Sequence, residues 1–186
     1  MPDTPEPRGW QIAASEIVID TPHLRLRRDA IVLPSGQRIE NYYVRESRGF
    51  SVIFALTPDS RVVLVEQYKH GIGRSVVELP AGAIDPDESP LDCARRELAE
   101  ETGYTSAEFE DVATFATDPT NSDAHFHLFL ARDARRNQRQ RLDATEEIEV
   151  RLATFDELRR FARDGTIEVS SHVASIYFLL DRLAKL

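Results

Sequence analysis

The strongest constraint on how this chain folds is the segment LPAGAIDPDESPLDCARRELAEETGY (residues 79–104), which crowds Glu97, Glu100 and Glu101 onto one short helix. Ser89 suits the N-cap, Pro90 the first helical position, and Asp92 the positive end of the helix dipole. Gly103 can take the left-handed conformation that ends the helix. Between these ends Leu91, Ala94 and Leu98 form one apolar stripe, and the three glutamates cluster on an adjoining stripe, beside the core. Two like charges about 4 Å apart near a protein surface repel by about 4 kcal/mol. Arg96 offsets only about 0.2–0.5 kcal/mol of this as an ordinary helix pair with Glu100. A cation compensates better. All the offered ligands are oxygens, which suits Mg²⁺ or Mn²⁺ and disfavours zinc. The plainer alternative is a solvated acidic helix face.

The rest of the sequence bounds the setting. The chain has 186 residues, 41% hydrophobic, enough for one domain with a core and a small appendage. A net charge of −9 argues against a surface that grips nucleic acid or an anionic membrane, so a polyanionic substrate needs a bridging cation. Cys93 is the single cysteine, which excludes a disulfide framework and fits a reducing compartment. MPDTPEPRGW lacks an apolar core of signal-peptide length, and no run reaches membrane-spanning length. A cytoplasmic protein is expected.

Along the chain, residues 1–9 read as a frayed tail rich in proline and charge. Residues 10–48 form an antiparallel N-terminal β arm, with LPSGQR as one of its turns, and residues 49–186 the main domain. FSVIFAL and RVVLVEQY, joined by the turn-forming TPDS, predict a central hairpin. Strands SVVEL, EFEDVATFA, HFHLFLARD and EIEVRLAT follow, with ARRNQRQRLDATEE as a polar surface loop. FDELRRFARDG is a helix stopped by Gly165, and SSHVASIYFLLDRLAKL a C-terminal helix. Strands and helices mix without doubly wound alternation, so the fold class is α+β.

Gly82, Glu88, Arg96, Glu97, Leu98, Glu100, Glu101 and Gly103 stand at the spacing of a Nudix box, with Tyr104 at its last, apolar position. The chain therefore resembles the Nudix hydrolases. The resemblance implies an α/β/α sandwich around a mixed β-sheet and cleavage of a nucleoside diphosphate linked to another group. It implies Glu97 and Glu101 as principal metal ligands, Glu100 as a further ligand or supporting group, and the Ala81 carbonyl as one more oxygen. Arg96 and Glu88 then position the ligands, within the loop, helix and loop that the box forms between Gly82 and Gly103. The chemistry is sound on its own terms, since a divalent ion neutralises a diphosphate and acidifies a water.

ELPAGAID entering the box, the N-terminal arm, and Pro119 fifteen residues beyond Tyr104 are similar to the ADP-ribose and nucleoside-diphosphate-sugar pyrophosphatase branch. That branch implies a homodimer joined through the arm. EQYK places Lys69 where related sequences carry arginine, keeping the charge on the substrate phosphate but losing the bidentate fork. A general base is expected in DATEEIEV, from Glu146 or its neighbour Glu147. Tyr42, Tyr43 and Trp10 are candidates for stacking on a nucleobase, though aromatics on strands usually face a core. GIG reads as a turn and His125 and His127 as one polar strand face. His172 reads as a capping-region or surface histidine, and Cys93 as a small packed residue. Rival substrates are coenzyme A derivatives, dinucleoside polyphosphates and nucleoside triphosphates; a non-catalytic ligand sensor on the same fold is the rival class.

Overall fold

The computed structural model describes residues 9–184, so the tail expected over residues 1–9 lies, apart from Gly9, outside the described residues. The described residues divide into two units, one running to Ser47 and including 116–124, the other comprising 48–115 and the described residues from 125 onwards.

The first unit is an antiparallel meander of β1 (Gln11–Thr21), β2 (Leu24–Val32) and β3 (Arg38–Glu46). The turn between β2 and β3 is closed by Gly36, at φ 82°, whose N–H donates to the Leu33 carbonyl. Asp29 is buried and held by Ser15 at 2.7 Å and Arg27 at 2.9 Å. Every residue of β1 is exposed. Residues 116–124, expected in the main domain, belong with this unit, where the Asn121 carbonyl accepts from the Arg45 N–H at 2.8 Å.

In the second unit, β4 (Phe50–Ala55), β7 (Ala81–Ala83), β9 (Glu108–Ala116) and β10 (His125–Arg132) form a sheet in the order β7-β4-β10-β9. It is mixed, because β4 runs parallel to β10 and antiparallel to β7. A second sheet has the order β12-β5-β6, from β5 (Val62–Lys69), β6 (Arg74–Glu78) and β12 (Ile148–Ala153), all antiparallel. The expected hairpin between β4 and β5 does not form. Both edges of each strand are taken by other partners, and the β-pairing between the two segments is confined to the isolated bridge Leu56↔Val62. The turn itself is present, with Thr57 Oγ1 accepting the Arg61 N–H at 2.9 Å, but it carries the chain from one sheet to the other. Within the polar tract, β11 (Arg135–Arg136) pairs with β8 (Tyr104–Thr105).

The central strands carry unbroken apolar runs, Val52–Ala55, Val62–Val65 and Leu128–Ala131, because both of their faces are buried there. Val52, Phe54, Val62, Leu64, Leu128 and Leu130 pack with α2 (Phe155–Asp164) and α3 (Ser170–Leu183), through Leu158, Ile176 and Leu179. The intervening Ile53, Ala55, Val63, Phe129 and Ala131 pack with Ala94 and Leu98 of α1 (Pro90–Thr102). Helices thus cover both faces, giving the α+β sandwich architecture with a mixed sheet. Among the described residues no helix is long and apolar enough to cross a membrane.

Candidate active site

Helix α1 begins and ends through local contacts. Ser89 Oγ accepts the Asp92 N–H at 3.1 Å, and Gly103 adopts φ 73° while its N–H donates to the Ala99 carbonyl. The helix lies against β4 and β7, so its glutamates face the strand that carries Ala81 and Gly82. Gly82 lets the Glu97 carboxylate lie against the strand, because a Cβ there would be 2.0 Å from the carboxylate carbon and Glu97 would have to swing aside. The Ala81 N–H donates to Glu101 Oε2 at 3.0 Å.

Arg96 organises the exposed side of the cluster. Its guanidinium forks onto Glu88 at 2.8 and 2.9 Å, donates to the Ala83 carbonyl at 3.1 Å, and reaches Glu97 at 2.6 Å and Glu100 at 3.4 Å. Glu88 also accepts the Asp85 N–H at 3.1 Å, so its carboxyl is held down to about 2, chiefly by Arg96. Cys93 is buried beneath, its thiol pushed up to about 11 by burial.

The inner carboxyls behave oppositely. Burial raises Glu97, against the pull of Arg96 and with the push of Glu100 and Glu146. Glu101 is 4% exposed and is driven up to about 8 by burial and then by Glu97, with the Ala81 N–H and Lys69 opposing and Glu146 adding to the rise. The cluster therefore lacks positive charge at its buried end.

The loop bearing Glu146 is tied to the end of α1. The N–H groups of Asn137 and Gln138 donate to the Gly103 carbonyl, that of Arg141 to Glu100, and the Gln140 amide to the carbonyls of Glu101 and Ile148. Glu146 accepts the Asp143 N–H at 2.9 Å, and with Gln67, Tyr68, Ala144, Thr145 and Glu147 it lines a cleft of about 280 Å³. The loop thus brings the Glu146 carboxylate within electrostatic reach of Glu97 and Glu101.

Lys69 closes β5, its ammonium 3.0 Å from Glu78. Tyr42, Tyr43 and Pro119 belong to the N-terminal unit. There Tyr42 meets Trp10 edge-on at 5.7 Å and donates its hydroxyl to the Thr120 carbonyl, while Tyr43 and Pro119 are exposed. His127 Nδ1 lies 3.0 Å from Thr114 Oγ1 on the neighbouring strand. His172 is not at the surface. It is 4% exposed, because α3 packs its first turn onto the end of β6, where His172 meets Glu78 and Leu79. Periodicity places a histidine near a helix start at the surface; only the packing of α3 reverses that. Glu78 itself carries a signal in sequence, a carboxylate directly after the β-branched pair of a buried strand.

Among the described residues no three His, Cys, Asp or Glu side chains converge as a metal cage, and Glu97 and Glu100 are both engaged by Arg96. The donor set nevertheless fits a hard divalent cation. It offers only oxygens, and a buried and a half-buried carboxyl, Glu101 and Glu97, both with raised proton affinity, call for a positive charge beside Gly82.

Comparison with known proteins agrees with this geometry. The NUDIX domain model matches residues 46–172, and the nucleoside diphosphate sugar hydrolase N-terminal domain matches residues 10–44. The chain is 34% identical to a methanol dehydrogenase activator of Bacillus methanolicus, over 84% of each chain. It is 28% identical to an ADP-ribose pyrophosphatase of Bacillus subtilis (strain 168), over 89% of this chain and 90% of the relative. A crystal structure of an ADP compounds hydrolase shares the fold, with a TM-score of 0.83 over 95% of both chains at 18% identity. With the family model spanning most of its length and the acid-bearing helix inside that span, the chain belongs to the Nudix family and is a Nudix pyrophosphatase.

Proposed function

We propose that the protein hydrolyses the pyrophosphate bond of ADP-ribose or a nucleoside-diphosphate sugar, giving a nucleoside monophosphate and a sugar phosphate. The observation that carries this reading is the pair of carboxyls, half-buried Glu97 and buried Glu101, that face Ala81 and Gly82 beside the Arg96–Glu88 fork. Relatives named for ADP-ribose and for GDP-mannose support the substrate class.

The Ala81 carbonyl, Glu97 and Glu101 would hold Mg²⁺, or Mn²⁺ in its place, with Glu100 as a further ligand. When bound, the ion neutralises diphosphate charge and makes a water more acidic. Arg96 and Glu88 orient the ligands. Lys69 binds a substrate phosphate, and Glu146 accepts the proton of the attacking water, in preference to Glu147, because its charge is felt by the acid cluster. The N-terminal unit serves as the dimerisation and substrate-binding element, through Tyr42, Tyr43 and Pro119. Its exposed β1, with Ile12, Ile17, Val18 and Ile19 open to solvent, supports a homodimer. The enzyme works in the cytoplasm.

The test is a panel of ADP-ribose, ADP-glucose, GDP-mannose, coenzyme A and a nucleoside triphosphate compared by kcat/KM with Mg²⁺. ADP-ribose or a sugar nucleotide is expected to lead, with release of the nucleoside monophosphate. A lead by coenzyme A or the triphosphate overturns the substrate class, and binding without turnover of any member would make the chain a sensor.

A further inference from the structure

The proposed reaction gives no role to the node of Glu78 and His172, which are buried where α3 meets the end of β6. Glu78 is 3% exposed, and its Oε2 takes the Lys69 ammonium at 3.0 Å and the Gln67 amide at 3.1 Å. Its Oε1 faces His172 Nε2 at 3.4 Å. His172 Nδ1 accepts the Leu79 N–H at 3.1 Å. A neutral imidazole that accepts at Nδ1 carries its proton on Nε2, so the protonated side of the ring is the one turned towards Glu78. Burial, and then the nearby Lys69 charge, hold the ring neutral, with its pKa lowered to about 3. The node therefore contains one carboxylate and one ammonium, with the imidazole and an amide as neutral braces.

The Lys69 end differs from the rest. Its side chain is 41% exposed while the carboxylate it meets is 4% exposed, and its charge is felt at Glu101. The ammonium is gripped from behind and open in front.

We propose that His172 and Glu78 are positioning residues for Lys69, directing its ammonium to one place beside the acid cluster, where a substrate phosphate is met. This rests on the reading of Lys69 as a substrate-binding residue. Lysine is a flexible stem ending in a point charge and lacks the planar fork by which arginine sets its own direction. A buried, doubly braced counter-charge supplies the missing direction. Stability alone is a weak reason for such a node, because desolvation of a buried ion pair cancels much of its attraction and apolar replacements of the same volume do as well. The His172 bond to Leu79 also ties α3 to the chain two residues before Ala81, so one imidazole steadies both the cation and the proposed carbonyl ligand.

Two measurements on the intact chain test this. The ¹⁵N spectrum of the histidine side chains at neutral pH should show His172 with Nε2 protonated and Nδ1 as an acceptor; protonation at Nδ1 would overturn the arrangement without any variant. With ADP-ribose and Mg²⁺, Lys69→Met and Glu78→Gln should each raise KM by on the order of tenfold, with kcat changed less, and the double variant should be no worse than the worse single one. His172→Phe should raise KM in the same way, and His172→Gln, which offers both an acceptor and a donor, should recover most of it. Parental KM in Glu78→Gln, or effects of Lys69→Met and Glu78→Gln that multiply, overturns the proposal. Should Glu78→Gln not fold, the cycle between His172→Gln or His172→Phe and Lys69→Met decides by the same criterion. A parent protein that cleaves neither ADP-ribose nor a sugar nucleotide overturns the proposed function instead, whereas an active parent with parental KM in the variants overturns only this inference.

Discussion

An alanine methyl at Gly82 would meet the end of a side chain, the Glu97 carboxylate, at 2.0 Å, and Gly82 is not among the positive-φ residues. The fold can absorb that methyl by swinging Glu97 aside; the acid cluster cannot. Gly82→Ala should therefore keep a nearly parental urea midpoint while losing about 10–100-fold in metal affinity or turnover, measured by Mn²⁺ titration and kcat. A parental Mn²⁺ affinity would show that Glu97 does not need its present place. Glu146→Gln tests the base at the same scale, with an expected fall in kcat of about 10²–10⁴-fold and little change in metal affinity. If Glu147→Gln loses activity instead, the base is reassigned.

At the scale of elements, Gly103 contrasts with Gly82. Its φ is 73°, and a Cβ at this position would lie 2.4 Å from the Gln138 carbonyl oxygen, so both constraints involve backbone, which cannot step aside. Gly103→Ala should cost more than about 1 kcal/mol in urea unfolding. It should also lower kcat, since the Gly103 carbonyl anchors the loop that carries Glu146. Helix α2 offers the control. Thr154 and Glu157 form a reciprocal capping box, and α2 packs on β12 and α3. Thr154→Ala should cost about 0.5–2 kcal/mol and leave kcat unchanged. The ends of α1, at Ser89 and Gly103, and the stop of α2 at Gly165 were legible in sequence because such signals act between residues a few positions apart. The strand pairing was not. FSVIFAL and RVVLVEQY are sequence neighbours with a good turn between them, yet β4 takes β7 and β10 as partners and β5 takes β6 and β12. Runs buried on both faces carry no alternation that could indicate a register.

For the whole molecule, the metal-free protein should have an unusual pH dependence. Glu101 has a pKa of about 8 in the folded chain against 4.5 as a free carboxyl, so the folded state holds an extra proton between those values. Its contribution to stability is complete below about pH 4.5 and is lost as pH rises through about 8. His172 acts in the other direction, losing stability as pH falls from 6.5 towards 3, because the buried ring must stay neutral. Without metal, the unfolding free energy should therefore decline between about pH 6.5 and pH 8, where Glu101 is no longer opposed by His172, and Glu101→Gln should flatten that decline. Mg²⁺ should restore stability most at the alkaline end, where it replaces the proton. A metal-free parent and a Glu101→Gln variant with the same slope would remove Glu101 as its source.

What the sequence determined by itself was local: the capped acidic helix, the spacing of Gly82, Glu88, Arg96, Glu97, Glu100, Glu101 and Gly103, and the α+β mixture of segments. Short-range spacing and the 3.6-residue period fully specify such features. Tertiary structure alone decided which strands pair, that residues 116–124 join the N-terminal unit, and that His172 is buried against Glu78. It also decided how the acids differ: Glu88 is held near 2 by the Arg96 fork, while Glu101 is raised to about 8 by burial. Identical side chains acquire different proton affinities only from desolvation and neighbouring charge, and both depend on segments distant in the chain.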